Sequence, residues 1–149
     1  MTALAVLTPQ LAAKHEAMFA LERELVKLPP VDLPIEHDFC EGVYARTMTI
    51  PAGVILTSAI HSGECFFVIR SGSIMVTTDN GPKILHAGHM SMTPAGTKRA
   101  GYAMTDTVVT TFHANPQNEQ TPEKLWDMLT VPQPDPRLPH HDIKEIPDA

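Results

Sequence analysis

The stretch from Gly53 to Gly72 is GVILTSAIHSGECFFVIRSG. Its β-branched and aromatic runs, bounded by glycines, predict two strands, Ile55–Ile60 and Cys65–Arg70. Side chains on a strand alternate between faces, so Ala59, His61, Gly63 and Cys65 share one face. Glu64 points the other way unless Gly63 makes a bulge. Farther along, Phe66 and Val68 face one side while Phe67 and Ile69 face the other. A strand apolar on both faces is covered on both faces. Its outer face therefore calls for a terminal helix or a second subunit.

Outward from this stretch the same signals recur. Val43–Ile50, Ser73–Thr78, Lys83–His86, Ser91–Thr93, Arg99–Met104 and Thr107–His113 complete a set of about eight short strands, which points to an all-β barrel or double-sheet jelly roll. Asp79-Asn80-Gly81 marks a hairpin, because Asn and Gly tolerate positive φ. The barrel spans about residues 31–115, after an N-terminal segment (1–30) and before a C-terminal one (116–149).

In the N-terminal segment Thr8-Pro9 has the form of an N-cap and first helical residue. Leu11, Met18, Leu21, Leu25 and Leu28 follow at helical spacings, with Lys14 in the gap. The expectation is one amphipathic helix of about five turns, stopped by Pro29-Pro30, that packs on its own barrel or docks on a partner. Thr121-Pro122-Glu123 starts a second, short helix anchored by Leu125, Trp126, Met128 and Leu129. Beyond Val131 comes PQPDPRLPHHDIKEIPDA, whose prolines suit an extended tail.

Composition excludes more than it identifies. The net charge of −6 argues against nucleic-acid binding through bulk charge. No apolar run approaches the ~18 residues of a membrane span. The opening MTALAVLTPQLAAK carries its basic residue after the apolar part, a poor secretory signal. Cys40 and Cys65 make no disulfide framework, so a reducing setting fits.

Two spacings carry a resemblance. From Gly53, five residues lead to Ala59-Ile60-His61, three more to Cys65, and six more to Gly72. From Gly88, five residues lead to Pro94-Ala95-Gly96, and two more to Arg99. These frames resemble the two motifs of the cupin superfamily. The resemblance implies a double-stranded β-helix barrel with Ala59, His61, Cys65 and Arg99 turned inward at the family's four metal-ligand positions. Only His61 keeps the family's residue type. The blocks Ile60-His61-Ser62-Gly63-Glu64-Cys65, Pro94-Ala95-Gly96-Thr97-Lys98-Arg99, Thr111-Phe112-His113 and Pro122-Glu123-Lys124-Leu125 also resemble small cupin-like proteins of tailed bacteriophages and prophages. That likeness implies a phage origin, in the host cytoplasm or the virion, and no particular chemistry.

His61 and Cys65 can ligate one divalent ion such as zinc, iron, manganese or nickel. His113 is a third ligand if its parity is inward. The bland alternative is a hydrogen-bonded interior His61 beside an inert buried Cys65. Four residues apart on one strand, their backbones lie ~13 Å apart, so direct pairing needs a bulge. An inward Arg99 needs an anion. Glu64, Asp38 or Glu41 is the expected source, and the other is a carboxylate or phosphate on a small ligand, with Glu64 and Tyr102 as further ligand-binding candidates. Only one of Lys98 and Arg99 can line the cavity. His86 and His89 flank the barrel mouth. Two functions compete: a non-catalytic, homo-oligomeric accessory or interaction module working with phage structural proteins, and a metal-dependent enzyme or small-molecule binder using His61, Cys65 and His113.

Overall fold

The computed structural model describes residues 7–132. The proline-rich tail beyond them, with His140-His141, lies outside the described residues. In chain order the elements are α1 (Pro9–Lys14), α2 (Glu16–Leu25), β1 (Ile35–Cys40), β2 (Gly42–Ile50), β3 (Ile55–Thr57), β4 (Ile60–His61), β5 (Cys65–Ser71), β6 (Ser73–Val76), β7 (Lys83–His86), β8 (Met90–Thr93), β9 (Ala100–Ala103), β10 (Thr107–Asn115), α3 (Pro122–Leu129) and β11 (Thr130–Val131).

The strands form a five-stranded sheet in the order β1-β2-β10-β5-β8, a four-stranded sheet β3-β9-β6-β7, and a small pair β4-β11. Every pairing is antiparallel. From β2 onward the chain crosses repeatedly between the two larger sheets, which winds it into a jelly-roll barrel. Met48, Ile50, Phe67 and Ile69 of one sheet meet Leu56, Ile74 and Ala103 of the other in the main core. The all-β reading therefore holds. Ile55–Ile60 is the strand that differs: it breaks at Ser58-Ala59 into β3 and β4. At the 79–81 turn, Thr78 and Gly81 exchange backbone hydrogen bonds, and only Gly81 takes positive φ, at 92°.

The glycines of both motif frames have a conformational reason to be there. Gly53, Gly72, Gly88 and Gly96 all have φ between 81° and 93°, where an L side chain is strained. At Gly72 a Cβ would also collide with the Asp106 carbonyl. These glycines thus belong to the turns of the barrel.

The N-terminal helix departs from expectation. It splits at His15 and ends at Leu25, well before the prolines. His15 is buried, and its Nε2 donates to the Gly96 carbonyl at 2.7 Å. The buried positions are His15, Phe19, Glu22 and Leu25, while Leu11, Met18 and Leu21 are half-buried and Leu28 is exposed. Glu22 forms a buried ion pair with Lys98 at 3.0 Å, and Thr57 donates to the same carboxylate oxygen at 2.7 Å. A pattern of apolar residues cannot find a face whose centre is an acid. The helices dock on the barrel of their own chain, as the plainer of the two expectations had it. In α3, Leu125 and Trp126 are buried as expected, but Met128 is 51% exposed.

The outer face of β5 is not covered by either helical segment. Phe66 is 51% exposed, and its cross-strand partners Phe112 and Met92 are 40% and 45% exposed.

Candidate functional site

Three strands bring one donor set together. Cys65 and His113 are cross-strand partners in the β5–β10 register, so both point to the same face. His61 arrives from β4, and the chain turns through Ser62-Gly63-Glu64 before β5 begins. That break removes the separation a continuous strand would impose. One ligand atom each from His61, Cys65 and His113 lies within 4.8 Å of the others, and all three residues are buried.

The C-terminal segment fixes this cluster from outside. Thr130 of β11 pairs with His61. The Ser62 amide donates to the Leu129 carbonyl and the Ser62 hydroxyl to that of Met128, both at 2.8 Å. Trp126 stands edge-on to His113 at 5.6 Å and to His61 at 6.3 Å, and the Arg46 guanidinium lies 4.4 Å from its ring centroid. Ala59, in the first ligand slot of the frame, belongs to the apolar cluster of Tyr44, Leu125 and Trp126.

Burial sets the protonation states. It is the main cause that lowers His61 to about 4 and His113 to about 3, with help from Arg46 on both. Both imidazoles are therefore neutral near pH 7. Burial pushes the Cys65 thiol up to about 11, against a Thr93 hydrogen bond and the charge of Arg99. The Thr111 hydroxyl and His113 Nε2 are 2.8 Å apart. His61 Nδ1 is buried without a hydrogen-bond partner among the described residues, a costly state for a polar atom.

Lys98 and Arg99 lie in the segment just before β9 and serve different partners. Lys98 turns to Glu22, and burial lowers its pKa against the raising effect of that carboxylate. Arg99 lines an interior cavity of about 130 Å³, together with His61, Cys65, Phe67 and Thr111. Its Cζ lies 5.5 Å from the Phe67 ring centroid. The expected intramolecular partner is a correction: no ion pair joins Arg99 to a carboxylate among the described residues. Glu64, Asp38 and Glu41 are all exposed, because their strand parity or loop position turns them to solvent. Tyr102 is 40% exposed, and neither it nor Glu64 lines the cavity. His89 lies beside the barrel entrance, its ring 5.6 Å from Phe67, whereas His86 is exposed and bonded to Ser73. Sequence reasoning missed the buried Glu22 and the role of Trp126 against the two histidines. Only Trp126 had a signal, as an apolar anchor next to a Pro-Glu helix start.

No protein family profile and no curated protein matches the chain. Among solved structures it is similar to an RmlC-like cupin protein from Desulfovibrio desulfuricans, at 23% identity over 56% of this chain and 82% of that one, with a TM-score of 0.49. It is also similar to a cupin superfamily protein from Desulfitobacterium hafniense, at 14% identity over 58% and 80% of the two chains, with a TM-score of 0.49. A cupin domain from Bordetella pertussis shows 17% identity over 59% of this chain and 98% of that one, with a TM-score of 0.47. Likeness at this level carries no argument about chemistry, which rests on the residues themselves. Among the described residues no helix is long and apolar enough to cross a membrane.

Proposed function

We propose that this chain is a metal-dependent small-molecule-binding barrel whose ion is held by His61, Cys65 and His113. The observation that carries this reading is the convergence of three buried donors from three strands within 4.8 Å. The donor chemistry fits a divalent ion of zinc type. Both imidazoles already have the neutral form a ligand needs. In the tautomer whose Nε2–H donates to Thr111, His113 carries its lone pair on Nδ1, and a hydrogen bond from the second ring nitrogen is a common way to orient a metal-bound histidine. The unpartnered His61 Nδ1 gains in such a site the partner it otherwise lacks. His61, Cys65 and His113 would hold the ion as two imidazole nitrogens and a thiolate, a donor set suited to zinc. Arg46 and Arg99 oppose a bound cation, and the thiolate offsets that by bringing one negative charge. Three protein ligands leave a position open, and an ion bound there supplies Lewis-acid polarisation of a ligand oxygen.

Calorimetric titration of chelator-stripped protein with zinc tests the reading. One ion per chain is expected, with binding weakened at least about tenfold in each of His61→Ala, Cys65→Ser and His113→Ala. Binding that is absent, or indifferent to all three variants, overturns it.

A second reading, an oligomeric accessory module with a non-catalytic barrel in a phage or prophage setting, is favoured by one observation. Phe66, Phe112, Met90 and Met92 form an exposed apolar patch on the five-stranded sheet. Such patches often mark association surfaces. Sedimentation of the full chain separates the readings: a dimer that dissociates in Phe66→Ser supports the module, and a monomer removes its main support. The metal reading does not depend on the outcome.

A further inference from the structure

We propose that the ligand of this barrel is a small organic acid, with its carboxylate on Arg99 and its apolar body in the interior cavity. The inference deepens the reading of the barrel as a small-molecule site, and its test keeps the two apart.

The head group follows from Arg99. The residue is half-buried at the junction of two spaces, since it lines both the interior cavity and a groove of about 560 Å³ outside it. Phe67 and Thr97 share this position. The Arg99 Cζ lies over the Phe67 ring, 5.5 Å from its centroid, which leaves the edge donors of the guanidinium for a ligand. No carboxylate of the described residues takes them. A carboxylate meets the fork of a guanidinium with two parallel hydrogen bonds.

The approach path has the same sign. Lys98 is neutralised by Glu22, and the remaining charged residues around the outer groove are Lys14, Lys83 and Arg99 against Asp79. A locally positive entrance on a chain of net charge −6 selects for an anion against the overall field.

The body of the ligand follows from the cavity. Beyond Arg99 its walls are apolar, with Met48, Ile50, Leu56, Ile69, Ile74 and Val109 among them. Its volume of about 130 Å³ is close to that of an apolar cavity of about 150 Å³ that admits benzene. The fit is a ring or branched chain of about six carbons, and the apolar walls disfavour inorganic phosphate. Arg99 lines the same cavity as His61 and Cys65, so the carboxylate end of the ligand shares that cavity with the donor set.

The test is calorimetric or NMR titration of the full chain with benzoate, with benzyl alcohol as the neutral analogue of similar size and inorganic phosphate as the bodiless anion. Benzoate is expected to bind more tightly than either. Arg99→Leu should weaken it by about tenfold to a hundredfold, the loss of hydrogen bonds to a charged group. Arg99→Lys should recover part of that loss. Val109→Phe, which fills the cavity and leaves Arg99 in place, should also abolish benzoate binding. Undetectable benzoate binding, equal binding of benzyl alcohol, phosphate binding as tight as benzoate, or indifference to Arg99→Leu would each overturn the proposal. Zinc titration of the same samples separates the failures. Zinc bound without benzoate sinks only the acid ligand, and the loss of both sinks the barrel site as well.

Discussion

The two helical segments that flank the barrel both bury apolar side chains, and they differ in what is added to that packing. The α1–α2 segment, with Phe19 and Leu25 buried, adds buried polar side chains: His15 on the Gly96 carbonyl, and Glu22 on Lys98 and Thr57. The α3 segment sets Leu125 and Trp126 against Tyr44 and Ala59, and its polar ties to the barrel run from Ser62 to the Met128 and Leu129 carbonyls. Polar fastening is directional and fails when one partner is lost, because the other is left buried and charged. Apolar fastening degrades in proportion to the volume removed. The difference also divides the labour of the site. Near α2 it sets Lys98 apart from Arg99, so that one cation is structural and the other faces the cavity. Near α3 it closes the donor set from outside.

The largest effect comes from breaking the polar side. Lys98→Met leaves the Glu22 carboxylate buried without a cation, and should cost about 3–5 kcal/mol in chemical denaturation. The double variant Glu22→Leu/Lys98→Met should restore most of that stability, since neither charge remains. A double variant as unstable as the single one would mean that the pair is not what fastens the helix. On the apolar side, Trp126→Ala should cost about 3 kcal/mol, and it should weaken zinc binding because both histidine rings lose their edge contact. Zinc affinity unchanged in Trp126→Ala would separate α3 from the site.

Protonation gives an effect of intermediate size. The histidines are already neutral and the thiol is not ionised, so ion binding near neutral pH expels one proton, from Cys65. Affinity should rise about tenfold per pH unit around pH 7. Cys65→Ser should flatten that slope, and an equal slope in the variant would assign the proton to another group. The smallest effect on stability belongs to the outer face. Phe66→Ser should change the monomer's stability by no more than about 0.5 kcal/mol, as measured by denaturant titration at low protein concentration. A larger loss would mean that the exposed patch is part of a folding unit.

Much of the barrel was legible because alternation and turn chemistry are local. Glycines at positive φ sit at the turns of both spaced frames, where the backbone conformation calls for glycine whatever the residues between them. The donor set was only half legible. The break between β4 and β5 was foreshadowed by the gap between the predicted strands and by Gly63, but the distance it leaves between His61 and Cys65 depends on a turn that no local pattern specifies. His113 could be placed on a strand, but its partner Cys65 depends on a register between segments about fifty residues apart. The β11–β4 pair that steadies His61 is two residues long, below what any pattern resolves. The α2 face was misread because His15 and Glu22, both polar, occupy buried positions of its helical stripe.

The most direct measurement of the central claim is cobalt(II) titration of the chelator-stripped full chain followed by absorption. Binding by His61, Cys65 and His113 predicts saturation at one ion per chain, with a thiolate-to-metal charge-transfer band that disappears in Cys65→Ser. A spectrum without that band, or one that persists in Cys65→Ser, would contradict it.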